Sequence, residues 1–365
     1  MIPVIEFVLG VAVLVYSAEK LIGYLVGVAS RWAISLFLIA VVFTGIEFDD
    51  LAFGVVLNME DLSDVALGTV IGTTIALTGI VLALAAIIAP TRVEVPRDYL
   101  ALYVAAPVVM FLLALGGLLT AGTGVVLILL FVAFVGWIAY REYSARRPVW
   151  RNAEVYEQLE KAGVAAGGST TATVAPSGPP RTDAAAGRPG FRLPEDLRVD
   201  DGFLKARAQP PGRTILFAVI ALIGLVVGAL IAGQGTEGIL ETWAISGTVF
   251  GVTIATLALS LEDILITVEP ARRGAPEIAV ANVLGSVVFS VTGKLGVILL
   301  VGGAIVVDPT ALVWHLPVLL GLTVLSAVFL GTGRIRRWHG VVLLGLYVAY
   351  FVLSLTVFGG VPVDD

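Results

Sequence analysis

The chain has 365 residues, 58% apolar and only 14% charged, with a mean hydropathy of +1.00. Soluble globular domains are about 45–50% apolar and about a quarter charged, so these figures exclude an ordinary soluble enzyme and a disordered chain and leave a polytopic membrane protein. The absence of Cys excludes disulfides, thiolate metal sites and Cys nucleophiles, two His exclude a His-rich metal site, and the net charge of −6 matters less than where the charges lie.

A membrane helix needs about 20 apolar residues. The sequence predicts ten: Pro3–Val28, Ala33–Leu57, Val65–Ile88, Tyr99–Leu119, Thr123–Tyr140, Thr214–Ala232, Thr242–Val268, Ile278–Val301, Thr310–Leu330 and Gly340–Phe358. The first has no basic region ahead of it and Glu6 is its first charge, so it reads as a span rather than a cleavable signal. None alternates like a barrel strand. Between the fifth and sixth lies a long polar segment, residues 141–213, expected to be a cytoplasmic linker. Its first part, Ser144–Lys161, suits a short surface helix. Its Ala/Gly/Pro/Ser/Thr-rich part, Gly163–Gly190, cannot bury a core and is expected to be largely disordered.

Lys and Arg set the orientation. With the N-terminus outside, Arg31, Arg92, Arg97, Arg272, Arg273, Arg334, Arg336 and Arg337 and all twelve basic residues of the linker face the cytoplasm. The external connections, Asn58–Asp64, Thr120–Gly122, Gly233–Glu241 and Val306–Pro309, carry none. The expectation is a multi-pass cell-membrane protein with both termini external and the long loop cytoplasmic.

A shift of 213 residues lays Thr44–Leu51 (TGIEFDDL) over Leu257–Ile264 (LALSLEDI). Without a gap, Val65–Thr73 (VALGTVIGT) falls on Ile278–Ser286 (IAVANVLGS). Acidic pairs coincide, Asp49/Asp50 with Glu262/Asp263, as do Gly72 with Gly285 and Thr73 with Ser286. Five spans per half is an odd number, so the halves are expected to sit oppositely in the bilayer. The fold class is thus an all-α polytopic membrane protein, ten transmembrane helices as two inverted five-helix repeats, residues 1–140 and 214–365.

Asp50 and Asp263 fall deep in the second and seventh spans, where ionisable groups usually mark ion paths. Glu47 and Asp50, and Ser260 and Asp263, each share a helix face. Two-fold symmetry would gather them into hard oxygen ligands suited to calcium, magnesium or sodium. The alternative is a water-filled vestibule that merely solvates the acids, a reading that weighs more for Asp49 and Glu262. Lys294 shares a face with Ser286 and Ser290. It reads either as a lysine snorkelling to the surface or as a counter-charge for Asp263 or Glu47 when the ion leaves. Lys20 with Glu19 reads as a local pair. Gly23/Gly27, Gly68/Gly72 and Gly224/Gly228 read as close helix contacts.

These motifs resemble those of the cation/calcium exchanger superfamily, which includes the sodium/calcium exchangers. That family carries Gly-Thr-Ser-x-Pro-Glu and Gly-Asn-x-x-Gly-Ser-Asn-x-x-Asn/Asp motifs on successive helices of each repeat. Arg272-Arg273-Gly274 with Ile278–Ser286 is similar to the second repeat, and Val65–Thr73 to the first. The family Glu is Asp50 and Asp263 here, its Pro is Asp49 and Glu262, its Thr is Ile46 and Leu259, and its later Asn/Asp is Leu77 and Ser290.

The resemblance implies a secondary-active antiporter, not an enzyme, exchanging calcium or a similar cation for sodium or protons. Its cation site would comprise Glu47, Asp50, Ser260, Asp263, Thr73 and Ser286. Glu47, Asp50 and Asp263 would be the metal ligands, with Asp49, Glu262, Ser290 and Lys294 as accessory candidates. The expected partners are inorganic cations and the lipid bilayer, with no nucleic acid and no cofactor beyond the transported ions. The competing readings are a transport-inactive cation-binding sensor or scaffold with the exchanger fold, and an intramembrane aspartyl hydrolase, against which the duplication of both acids argues.

Overall fold

The computed structural model describes residues 2–29, 47–90, 92–145, 211–272 and 276–358. Most of the expected linker, residues 146–210, and the first part of the second span lie outside the described residues, as does any account of the surroundings of Gly23 and Gly27.

The described chain is helical, with one two-stranded ribbon. Helix α1 is Ile2–Ala29 and α2 is Phe48–Met59. Helix α3 runs Ser63–Ile88 through a π-helical turn at Leu77–Val81. Helices α4 and α5 are Arg97–Ala114 and Ala121–Ala145. Helix α6 is Pro211–Trp243. Helix α7 comprises Gly247–Phe250, a π turn Gly251–Ala255 and Thr256–Arg272. Helix α8 comprises Pro276–Phe289, a π turn Ser290–Lys294 and Leu295–Val301. Helix α9 comprises a π turn Ala311–His315 and Leu316–Gly331, and α10 is Arg337–Val357. Strands β1 (Leu118–Leu119) and β2 (Ile305–Val306) pair antiparallel.

Among the described residues, eight helices are long and apolar enough to cross a membrane: all but α2 and α7. Those two carry the paired acids. Helices α3 and α8 are buried over 83% and 89% of their apolar windows, against 22–44% for the other six, so they form the centre. The outer helices present apolar faces such as Ile215, Leu216, Val219, Ile220 and Ile223 of α6. A face this size would be an aggregation hazard in water and is at home in lipid.

Threonine hydroxyls of the central helix α3 are satisfied within the helix. Thr69 donates to Ala66 O, Thr74 to Val70 O and Thr78 to Ile75 O along α3, as hydroxyls do where no water competes. Small residues then let the helices meet backbone to backbone. A Cβ on Gly72 would lie 2.6 Å from Val252 Cα, and one on Gly68 2.7 Å from Thr248 O, so α3 and α7 cross on glycine.

Gly224 and Gly228 serve the same end between α6 and α1. Gly228 meets Leu14, and further along α6 Gly235 meets Phe7 and Gly238 meets Pro3, so the two helices run antiparallel. This contact corrects one sequence-based expectation. Gly233–Glu241, read as an external connection, is helix, because its glycines are the seam along which α6 extends past α1. Thr236, read as loop, donates to Ala232 O within the helix.

The two central helices match in detail. Ser63 and Pro276 start them, Ile88 and Val301 end them, and each pair is 213 residues apart. Their π turns, Leu77–Val81 and Ser290–Lys294, stand at that same offset. Outer helices from the opposite half cover them: Gly340 of α10 lies against Ala83 O of α3, and Gly124 of α5 against Gly296 O of α8. Ala83 and Gly296 are again 213 residues apart.

Candidate functional site

Helix α2 leans directly on α8. A Cβ on Gly54 would touch Ile298, and Asn58 donates to Ile298 O at 3.3 Å and Gly303 O at 3.1 Å. The two helices run parallel, so the start of α2 comes level with the π turn of α8. Glu47 is the N-cap residue of α2, and Asp50 lies one turn later on the same face.

Lys294 closes the π turn and points into this corner. Its Nζ donates to Asp50 Oδ2 at 2.6 Å, to Glu47 Oε2 at 3.1 Å and to Thr73 Oγ1 at 3.0 Å. A lysine ammonium has three N–H donors, and all three are used. Its side chain is 1% exposed, which rules out snorkelling. Ser290, four residues earlier, donates to the same Glu47 Oε2 at 3.1 Å. Thr73 keeps an oxygen lone pair for the ammonium while its hydroxyl leans on Val70 O at 3.5 Å. Three helices therefore supply one charged cluster: Glu47 and Asp50 from α2, Thr73 from α3, Ser290 and Lys294 from α8.

The π turn matters to this geometry. It admits one extra residue into the helical ladder, with the Leu295 N–H reaching back to Ser290 O, and so turns the later face of α8 relative to the earlier one. Such turns are frequent at functional sites.

The structure divides the expected residues. Glu47, Asp50, Thr73, Ser290 and Lys294 meet in one cluster, and Ser286 sits on the buried face of α8 one turn before Ser290. Asp49, next to Asp50, is also buried but does not touch Lys294. Ser260 is fully buried on α7, its Oγ without a hydrogen-bond partner among the described residues, and one oxygen of Glu47, Oε1, is in the same state. Asp263 is half-buried on α7, and the side chain of Glu262 lies outside the description. Among the described residues no three His, Cys, Asp or Glu side chains converge as a metal-holding group. An ammonium stands between Glu47 and Asp50, two of the expected metal ligands. Lys294 pairs with Asp50 and Glu47, whereas the sequence expectation named Asp263 or Glu47. Lys20 does pair with its neighbour Glu19, at 3.6 Å.

Sequence reasoning passes over Asn58, which ties α2 to the end of α8. The only signal available is an amide directly after the apolar span that ends at Leu57, in a stretch read as an external connection.

Residues 2–140 and 213–356 match the sodium/calcium exchanger protein family. Sodium/calcium exchanger MaX1 of Methanosarcina acetivorans is 31% identical over 157 residues, covering 43% of this chain and 42% of that one. The uncharacterized membrane protein MJ0091 of Methanocaldococcus jannaschii is 28% identical over 135 residues, 37% of this chain and 43% of that one. The aligned stretches thus span less than half the length of these two relatives. Inner membrane protein YrbG of Escherichia coli is 24% identical over 353 residues, 95% of this chain and 94% of that one. The fold is similar to that of the sodium–calcium exchanger NCX_Mj, with a TM-score of 0.55 at 20% identity over 96% of this chain and 98% of that one. The chain belongs to the sodium/calcium exchanger protein family, and so to a class of multi-pass membrane transporters rather than enzymes.

Proposed function

We propose that this chain is a secondary-active antiporter that exchanges calcium or a similar cation for sodium or protons by alternating access. The observation that carries this reading is the group of carboxylates and hydroxyls buried where α2, α3 and α8 meet. Burying bare charge is prohibitive, so such a site changes sides only when a cation neutralises it. That requirement couples one ion to the other.

In this reading Asp50, Asp263 and Glu47, with Thr73, Ser260 and Ser286, form the ion path, and Ser290 orients Glu47. Residues 1–140 and 214–365 act as two inverted five-helix repeats, ten helices in all, joined by the linker 141–213. The matched bounds of α3 and α8, the antiparallel run of α1 and α6, and the exchanged covering helices support that symmetry. The distribution of Lys and Arg supports external termini and a cytoplasmic linker. The relatives named for sodium/calcium exchange support the choice of ions.

The test is flux in proteoliposomes holding the full chain. Calcium uptake driven by an outward sodium or proton gradient is expected, with Asp50→Asn and Asp263→Asn each falling to the level of empty vesicles. No flux under either gradient would overturn the proposal. A second reading, a transport-inactive cation-binding scaffold, is favoured by one observation: the ammonium of Lys294 already fills the carboxylate pair. Stoichiometric cation binding without gradient-driven flux would select it.

A further inference from the structure

Lys294 is a buried charged group that the antiporter reading does not use. Its surroundings are those of a bound ion. The Nζ meets two carboxylate oxygens and a hydroxyl at 2.6–3.1 Å, the range of charge-assisted N–H···O bonds, and is closed off from solvent. Every oxygen it touches comes from the set that a metal ion at this corner would use. A bare ion needs contacts of about 2.3–2.6 Å to those same atoms, so the ammonium and the ion exclude one another there.

The repeat supplies the control. The residue 213 positions earlier, which closes the π turn of α3, is Val81, fully buried and uncharged. Helix α7, which carries Ser260 and Asp263, packs on that turn. The backbone device is present twice and the charge once.

We propose that Lys294 is a resident cation. Its ammonium holds the place of one exchangeable ion between Glu47, Asp50 and Thr73. The proposal rests on the antiporter reading for the word exchangeable. The occupancy of the first half-site by Lys294 stands on geometry alone. It makes Lys294 a specificity-determining residue: the site needs one fewer positive charge from solution.

The test uses the purified full chain and calcium chloride as probe. Calorimetric titration of wild type gives the reference number of calcium equivalents per chain. Lys294→Ser is expected to gain one calcium equivalent, lost again in Lys294→Ser/Asp50→Asn. A folded Lys294→Ser protein with no added equivalent overturns the proposal.

Should these variants fail to fold, amine acetylation of wild type decides, read by mass spectrometry of the Lys294 peptide. A resident ammonium stays protected with and without calcium. A several-fold rise in labelling with calcium means that the lysine vacates for the ion and overturns the proposal. Vesicle flux separates the two ideas. Absent flux with a protected Lys294 sinks the antiporter and leaves the resident cation, whereas flux with calcium-induced labelling of Lys294 sinks the resident cation alone.

Discussion

The π turns of α3 and α8 are the same backbone device with different contents. Leu77–Val81 ends in an apolar residue and Ser290–Lys294 in an ammonium. The acids facing the second turn are Glu47 and Asp50; the matching positions in the other half hold Ser260 and Asp263. Charge has been moved between halves while the helices kept their length and register. One carboxylate more on α2 is answered by one ammonium more on α8. The lesson is that two helices matched in length and register can hold the same backbone device and still be chemically unequal.

The most forceful way to break this comparison is to make the halves alike. Val81→Lys would put a second ammonium at the end of the α3 turn. If the turns are equivalent, that charge meets Asp263, both half-sites are filled, and gradient-driven cation flux falls to the level of empty vesicles. Flux near wild type would mean that residue 81 does not face the α7 acid and that the symmetry stops at the backbone.

The reverse change tests what holds the first half-site together. Lys294→Met keeps the volume and leaves Glu47 and Asp50 buried without their cation. Removing one partner of a buried ion pair costs about 3–5 kcal/mol, which should show as a large drop in the thermal midpoint of the detergent-solubilised protein. The triple variant Glu47→Gln/Asp50→Asn/Lys294→Met removes all three charges and should recover most of the loss. A triple variant no more stable than Lys294→Met would show that the ion pair is not what the single change disrupts.

A smaller effect compares the covering helices. A Cβ on Gly340 would come within 2.4 Å of Ala83 O, and one on Gly124 within 2.9 Å of Gly296 O. Both Ala variants should lose about 1–3 kcal/mol through overpacking, with Gly340→Ala the worse, and a detergent melting series reads the order. Equal or reversed losses would mean that the two contacts relax differently despite their matched positions.

Different parts of the molecule are legible in the sequence to different depths. The central helices can be read within two residues of their bounds, Val65–Ile88 against Ser63–Ile88 and Ile278–Val301 against a start at Pro276, because long apolar runs between charged turns carry their own limits. The cluster is half legible. The four-residue spacing puts Ser290 and Lys294 on one face, and both reach Glu47. Sequence does not say that the lysine turns inward to Asp50, because a π turn has no propensity signal and its extra residue re-aims the side chains beyond it. Gly233–Glu241 misleads for the opposite reason. Glycine, Thr and Glu look like a loop in isolation, and only their contact with α1 shows that the glycines are there for close approach.

The smallest prediction concerns the residues that follow the acidic helices in sequence. In sequence Glu60 follows α2, and the offset of 213 puts Arg273 after α7, so the acidic residue of one half is replaced by a basic one in the other. Partial burial, and then the nearby Glu237 carboxylate, push the Glu60 carboxyl above its ordinary value of 4.5. The folded protein therefore favours protonated Glu60 more than the unfolded chain does. That preference contributes stability in full below about 4.5 and loses it as pH rises through the raised folded value. Solvent screening at this exposed turn holds the effect to about 0.3 kcal/mol. Glu60→Gln should flatten that part of the melting-temperature profile, and so should Glu237→Gln in lesser degree, because burial is the larger cause. A wild-type slope of the opposite sign, with stability rising through this window, would show that a cation or a donor satisfies Glu60 and that the acidic turn is itself a point of ion contact.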